Sequence, residues 1–82
     1  MLVEGRIART APTSIYWYAN FGELYRRDFT VRIPKAEERA FAAAGLDLAG
    51  LGGRRVRVRG WLFEENGPMI EITHPLALEA LE

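Results

Sequence analysis

Two groups of side chains in this sequence could do chemistry. The first is basic: Arg54, Arg55, Arg57 and Arg59 crowd one short segment, with Val56 and Val58 set between them. Side chains of a strand alternate faces, so Arg55, Arg57 and Arg59 form an outer row while the valines face a core. The second group is aromatic: Tyr16, Trp17, Tyr18 and Phe21 lie close together, upstream of Arg32. A positive row beside aromatic rings is the combination that holds a flexible phosphate backbone with stacked bases. Tyr16 and Tyr18 are therefore candidate stacking platforms, and Arg32, Arg55, Arg57 and Arg59 candidate phosphate contacts. The competing reading of the row is a solvated edge whose arginines pair with Glu4, Glu64, Glu65 or Glu71. Exposed tyrosines can equally bury against a neighbouring domain.

Other chemistry finds little support. Glu64 and Glu65 are adjacent and diverge on a loop, which is a poor cation site. His74, the single histidine, precedes a proline, and Ser14, the single serine, has no neighbouring base to activate it. Gly50, Gly52 and Gly53 precede a strand rather than a helix, so they do not form a phosphate-cradling loop. No cysteine is present, which excludes disulfides, iron–sulfur clusters and thiolate zinc sites. The sequence predicts no catalytic residue, metal or cofactor, and the chain is not expected to be an enzyme.

Composition sets the scale. The 82 residues form one domain (1–82), with 49% hydrophobic residues to supply a single core. No window approaches the ~18 uncharged apolar residues of a membrane span, so no membrane partner is expected. The N-terminal residues lack a basic region followed by an apolar run, so no leader peptide is expected either. Net charge is +0, but its distribution is uneven. Residues 1–35 sum to +3, 36–52 to −2, 53–60 to +4 and 61–82 to −5. One face can be positive while another is negative.

The elements that must position these side chains follow from period and punctuation. Residues 2–10 alternate as a first strand, and residues 10–14, with Pro12, read as a turn-rich break. Residues 15–21 are a second strand. Residues 28–33 alternate most cleanly, with Phe29, Val31 and Ile33 inward and Asp28, Thr30 and Arg32 outward. Residues 35–44 change to a helical stripe of Ala36, Ala40, Phe41 and Ala44, closed by Gly45. Asp47 opens a short helical turn through Leu48 and Leu51. Residues 53–63 read as one long, coiled strand bent at Gly60, with Trp61 read first as a barrel-closing core residue and second as an aromatic of the ligand surface. Asn66-Gly67 marks a hairpin, and residues 69–73 a fifth strand with Ile70 and Ile72 inward. Residues 76–81 are an apolar tail. The predicted fold is mainly β: a five-stranded Greek-key OB-fold barrel, β-β-β-α-β-β, with one helix between strands three and four.

Several runs also carry a family resemblance. They are Asn20-Phe21-Gly22, Arg27-Asp28-Phe29-Thr30-Val31, and Phe41 through Leu48. Two more are Gly53-Arg54-Arg55-Val56-Arg57-Val58-Arg59-Gly60-Trp61 and Asn66-Gly67-Pro68-Met69-Ile70-Glu71-Ile72-Thr73-His74-Pro75. Together they resemble a domain of bacterial thermonuclease-like proteins, where it is a C-terminal OB-like companion of a staphylococcal-nuclease-type domain. The likeness spans roughly residues 3–81. Strand two departs from it, being bulkier and more aromatic at Ile15, Tyr16, Trp17 and Tyr18. The resemblance implies a fragment of a longer nuclease-like protein, an upstream nuclease domain as partner, and an accessory nucleic-acid-handling role without catalytic residues of its own. The expected function is thus weak binding of single-stranded DNA or RNA. The alternative is a protein–protein or interdomain packing module that binds no nucleic acid.

Overall fold

In the computed structural model the chain is described over residues 1–22 and 29–81. Asp28 and Arg27, read above as part of the third strand and of a family run, lie outside the described residues, as does Glu82. Among the described residues seven strands form one sheet: β1 (Leu2–Pro12), β2 (Tyr16–Phe21), β3 (Phe29–Pro34), β4 (Arg55–Arg59), β5 (Leu62–Glu64), β6 (Pro68–Glu71) and β7 (Leu78–Ala80). Their spatial order is β5-β6-β3-β2-β1-β4-β7, and all pairs are antiparallel except β3 with β6. The sheet curls into a half-barrel around one core, with a short helix α1 (Glu38–Ala43) between β3 and β4.

The expectation of five strands in a closed barrel is corrected in both respects, and the cause lies at Gly60. The long strand expected over residues 53–63 is divided into β4 and β5. A Cβ at Gly60 would stand 2.5 Å from Ile70 Cγ2, so the backbone here presses on the core with no room for a side chain. The strand turns at that point: β4 stays with β1, whereas β5 leaves to pair with β6. The apolar tail supplies the second cause. Leu78 is buried, and the tail docks as β7 along the edge of β4 that closure would have used.

The inward positions behave as their alternation predicts. Phe29, Val31, Ile33, Val56, Val58, Ile70 and Ile72 are all buried. Phe41 inserts from α1 and is fully buried, Leu48 and Leu51 follow from the 3-10 turn Leu48–Gly50, and Ile7 and Phe21 complete the centre. The helix is shorter than expected, because its first turn, Lys35–Glu37, is 3-10 and only six residues are α. Asp47 stands at the N-cap of its turn but makes no side-chain capping bond.

Two features shape the first hairpin. β1 runs on through Ala11 and Pro12, where a break was expected, and Pro12 pairs opposite Trp17. Its register shifts between Ile7 and Arg9, a bulge at the point where β1 exchanges β4 for β2 as its partner. Thr13 closes the turn: its Oγ1 accepts from the Ile15 and Tyr16 amides at 3.3 and 3.0 Å. At the opposite end, Asn66 and Gly67 adopt φ of 55° and 110°, the positive values that a tight β5–β6 hairpin requires.

Candidate functional site

The arginine row lies where its alternation put it, on the outer face of β4, but it does not stand alone. Antiparallel register sets Glu4 of β1 and Glu79 of β7 directly opposite Arg57. Arg57 donates from Nε and Nη2 to Glu4 Oε2 at 3.1 and 3.0 Å, and from Nη1 to Glu79 Oε1 at 3.3 Å. Arg55 Nη2 reaches the other Glu4 oxygen at 3.0 Å. Glu4 is thus clasped by two guanidinium groups. Its hydrogen bonds to Arg57 and then Arg55, with their charges, hold the carboxyl below its ordinary range. Arg59 ends the row differently. Leu2 stands opposite it, and it makes no ion pair among the described residues.

Arg32 anchors a second assembly on the outer face of β2, β3, β6 and β5. Glu71 is its register neighbour on β6, and Nε donates to Glu71 Oε1 at 2.8 Å while Nη1 donates to Glu65 Oε2 at 2.9 Å. The guanidinium carbon lies 4.3 Å from the centre of the Tyr16 ring and 5.2 Å from that of Phe63. Burial acts to lower the Arg32 pKa, but the Glu71 hydrogen bond and the charges around it outweigh burial, and the net shift is upward. Arg32 is held charged.

The two tyrosines do share the outer face. Their ring centres are 5.8 Å apart and tilted by 58°, both half-buried. Tyr18 sits opposite Arg32 in register, yet the ring that meets the guanidinium is that of Tyr16. The structure therefore gathers Tyr16, Tyr18 and Arg32 in one place and Arg55, Arg57 and Arg59 in another. Phe63 belongs to the first place and was missed. The hairpin at Asn66-Gly67 held the signal, because it pairs Phe63 with Met69 beside β3.

Trp61 corrects the sequence reading most sharply. Instead of closing a barrel it is 89% exposed. Gly60 fills the space at the core wall with backbone, and the next side chain is turned outward. Trp17, the other tryptophan, packs half-buried against the core, with its Nε1 buried and lacking an acceptor among the described residues. Its ring receives Lys35 Nζ at 5.9 Å.

His74 is exposed, and its Nδ1 accepts from the Leu76 amide at 3.1 Å, capping the turn Pro75–Ala77. Among the described residues no three His, Asp or Glu side chains gather as a metal would need. No helix among them is long and apolar enough to cross a membrane. An open groove of about 720 Å³ runs between Leu46, Leu76 and Ala80. Set against family models, curated proteins and solved structures, the chain matches none of them.

Proposed function

We propose that this chain is a non-catalytic OB-type module, accessory to a nuclease-like protein, that binds single-stranded nucleic acid weakly and chiefly by stacking. The connectivity supports the fold part of this reading. β1 pairs with both β2 and β4, β3 runs parallel to β6, and only Gly60 and Trp61 separate β4 from β5. These pairings support reading the sheet as an OB-type path whose fourth strand is broken and whose closure is displaced by the tail. The observation that carries the binding part is the juxtaposition of Tyr16, Tyr18 and Arg32 on the outer face of β2 and β3.

Charge contributes less than the arginine count suggests. Arg32, Arg55 and Arg57 each hold carboxylates, which a phosphate would have to displace. Single-strand affinity should fall with salt at a slope of only about −1, since each phosphate neutralised adds ~−0.7. Tyr18→Ala should cost ~1–3 kcal/mol of binding through lost stacking. Glu4→Gln, which releases Arg55 and Arg57, should strengthen binding and steepen the slope. Fluorescence anisotropy with short oligothymidylates at low and moderate salt measures all three. No binding by the intact chain at millimolar protein and low salt removes the nucleic-acid reading.

A second reading has its own observation. Large apolar side chains stand outside the core, with Leu76 86% and Ile15 63% exposed, and Arg55 and Arg57 are balanced by Glu4 and Glu79. Those features suit a module that packs on a protein domain. If oligonucleotides do not bind, this is the function that remains.

A further inference from the structure

We infer a second stacking site at the corner between β4 and β5, where Trp61 takes a base and Arg59 its phosphate. It rests on the nucleic-acid reading above and adds a stacking ring, Trp61, at the end of the arginine row. The argument begins with the exposed indole. A tryptophan is among the largest apolar surfaces a chain can offer, and one that is 89% exposed gains almost nothing from folding. Its exposure is built in rather than accidental. Gly60 presses its backbone on Ile70, and its amide donates to the Met1 carbonyl at 3.0 Å, so both sides of the corner are fixed. The ring is held outward on a rigid turn.

Charge at the corner differs from charge along the rest of the β4 row and at Arg32. Arg32, Arg55 and Arg57 spend their donors on carboxylates, whereas Arg59 has none among the described residues. Leu2, not an acid, stands across from it, and no carboxylate lies in the chain between Arg59 and Phe63. An indole face and an uncompensated guanidinium two residues apart form the minimal unit for one nucleotide: a base stacks on the ring while its phosphate meets the cation. Such a site reads no sequence, because every base has a π-face and a phosphate carries no base information. Bare indole and an unpaired cation together favour nucleic acid over an apolar protein face here, since a protein contact would leave Arg59 to be buried without a partner.

The test uses the whole chain and a fluorescent oligothymidylate at low salt. Trp61→Ala should weaken binding by roughly tenfold or more, and Trp61→Phe should restore much of it. Arg59→Gln should weaken binding and flatten the salt dependence by about 0.7 in slope. Thermal melts of all three variants should match the parent chain, because both side chains lie outside the core. An abasic strand of equal length should bind the parent and Trp61→Ala alike. If the parent binds the oligonucleotide and Trp61→Ala and Arg59→Gln bind it equally well, the corner site is wrong while the wider function stands. If the parent does not bind at all, both fall. If Trp61→Ala instead abolishes a concentration-dependent increase in mass without oligonucleotide, the corner is an interface between copies and the inference is overturned.

Discussion

Two arginine–glutamate assemblies occupy the two halves of this sheet, made from the same chemistry and differing in what surrounds it. On β1, β4 and β7 the side chains of Arg55, Arg57 and Glu4 are 49%, 40% and 38% exposed. On β3 the Arg32 side chain is 13% exposed, layered against Tyr16 and Phe63 and clamped by Glu65 and Glu71. Water screens the first assembly, so its pairs form and break at little cost. Rings exclude water from the faces of the second, so its charge must keep its partners. Under the proposed function, the ladder is the half that would release an arginine to a phosphate. Arg32 acts as a fixed post that orients the tyrosines.

The largest consequence falls on Arg32. Arg32→Ala removes the layer between Tyr16 and Phe63 and strips Glu71 of its partner, which should cost ~2–4 kcal/mol of stability. Arg32→Lys should recover only part of that, because an ammonium keeps the charge but cannot fork to two carboxylates or lie flat on a ring. Urea unfolding of the two variants beside Arg57→Ala measures the contrast. Equal losses at Arg32 and Arg57 would erase the distinction between the two halves.

The sequence made this contrast only partly visible, for identifiable reasons. Period-2 alternation located the buried faces of β3 and β4, because one wrong step would have turned Val31 and Val58 to solvent. It also showed that Arg55, Arg57 and Arg59 share a face. The sequence offered Glu4, Glu64, Glu65 and Glu71 as partners of the row; Glu4 is one, whereas Glu65 and Glu71 hold Arg32 instead, and nothing in the sequence chose among them. Glu4 lies 53 residues from Arg57 in the chain, and that contact exists only through the register of β1 on β4. Trp61 was misplaced because a glycine in a strand signals a bend without giving its direction. The direction came from Ile70, whose methyl already fills the space beneath Gly60. The tail was unreadable as a strand because three residues gain their pairing from β4, not from a pattern of their own.

A smaller effect separates the members of the ladder from one another. A double-mutant cycle on Glu4→Gln and Arg57→Gln, followed by thermal melting, should show a weak favourable coupling that fades as salt is raised. Arg59→Gln should show no coupling to Glu4, since its register partner is Leu2. A coupling at Arg59 as large as at Arg57 would mean that the row acts as one undivided field.

The smallest effect is the pH dependence of the ladder, and its sign follows from Glu4. The folded-state pKa of this carboxyl is depressed, first by the hydrogen bond from Arg57 and then by that from Arg55. Glu4 therefore releases its proton more readily folded than unfolded, and its contribution to stability is fully present above the unfolded value of ~4.3. As pH falls below that value the unfolded chain takes up the proton first. The contribution declines, and it is gone once the folded carboxyl is protonated too. The difference in melting temperature between the parent and Glu4→Gln should hold steady above about pH 5 and shrink toward zero on further acidification. A difference that persists unchanged at low pH would mean that Glu4 serves the sheet by packing rather than by charge. The ladder would then be no store of releasable arginines.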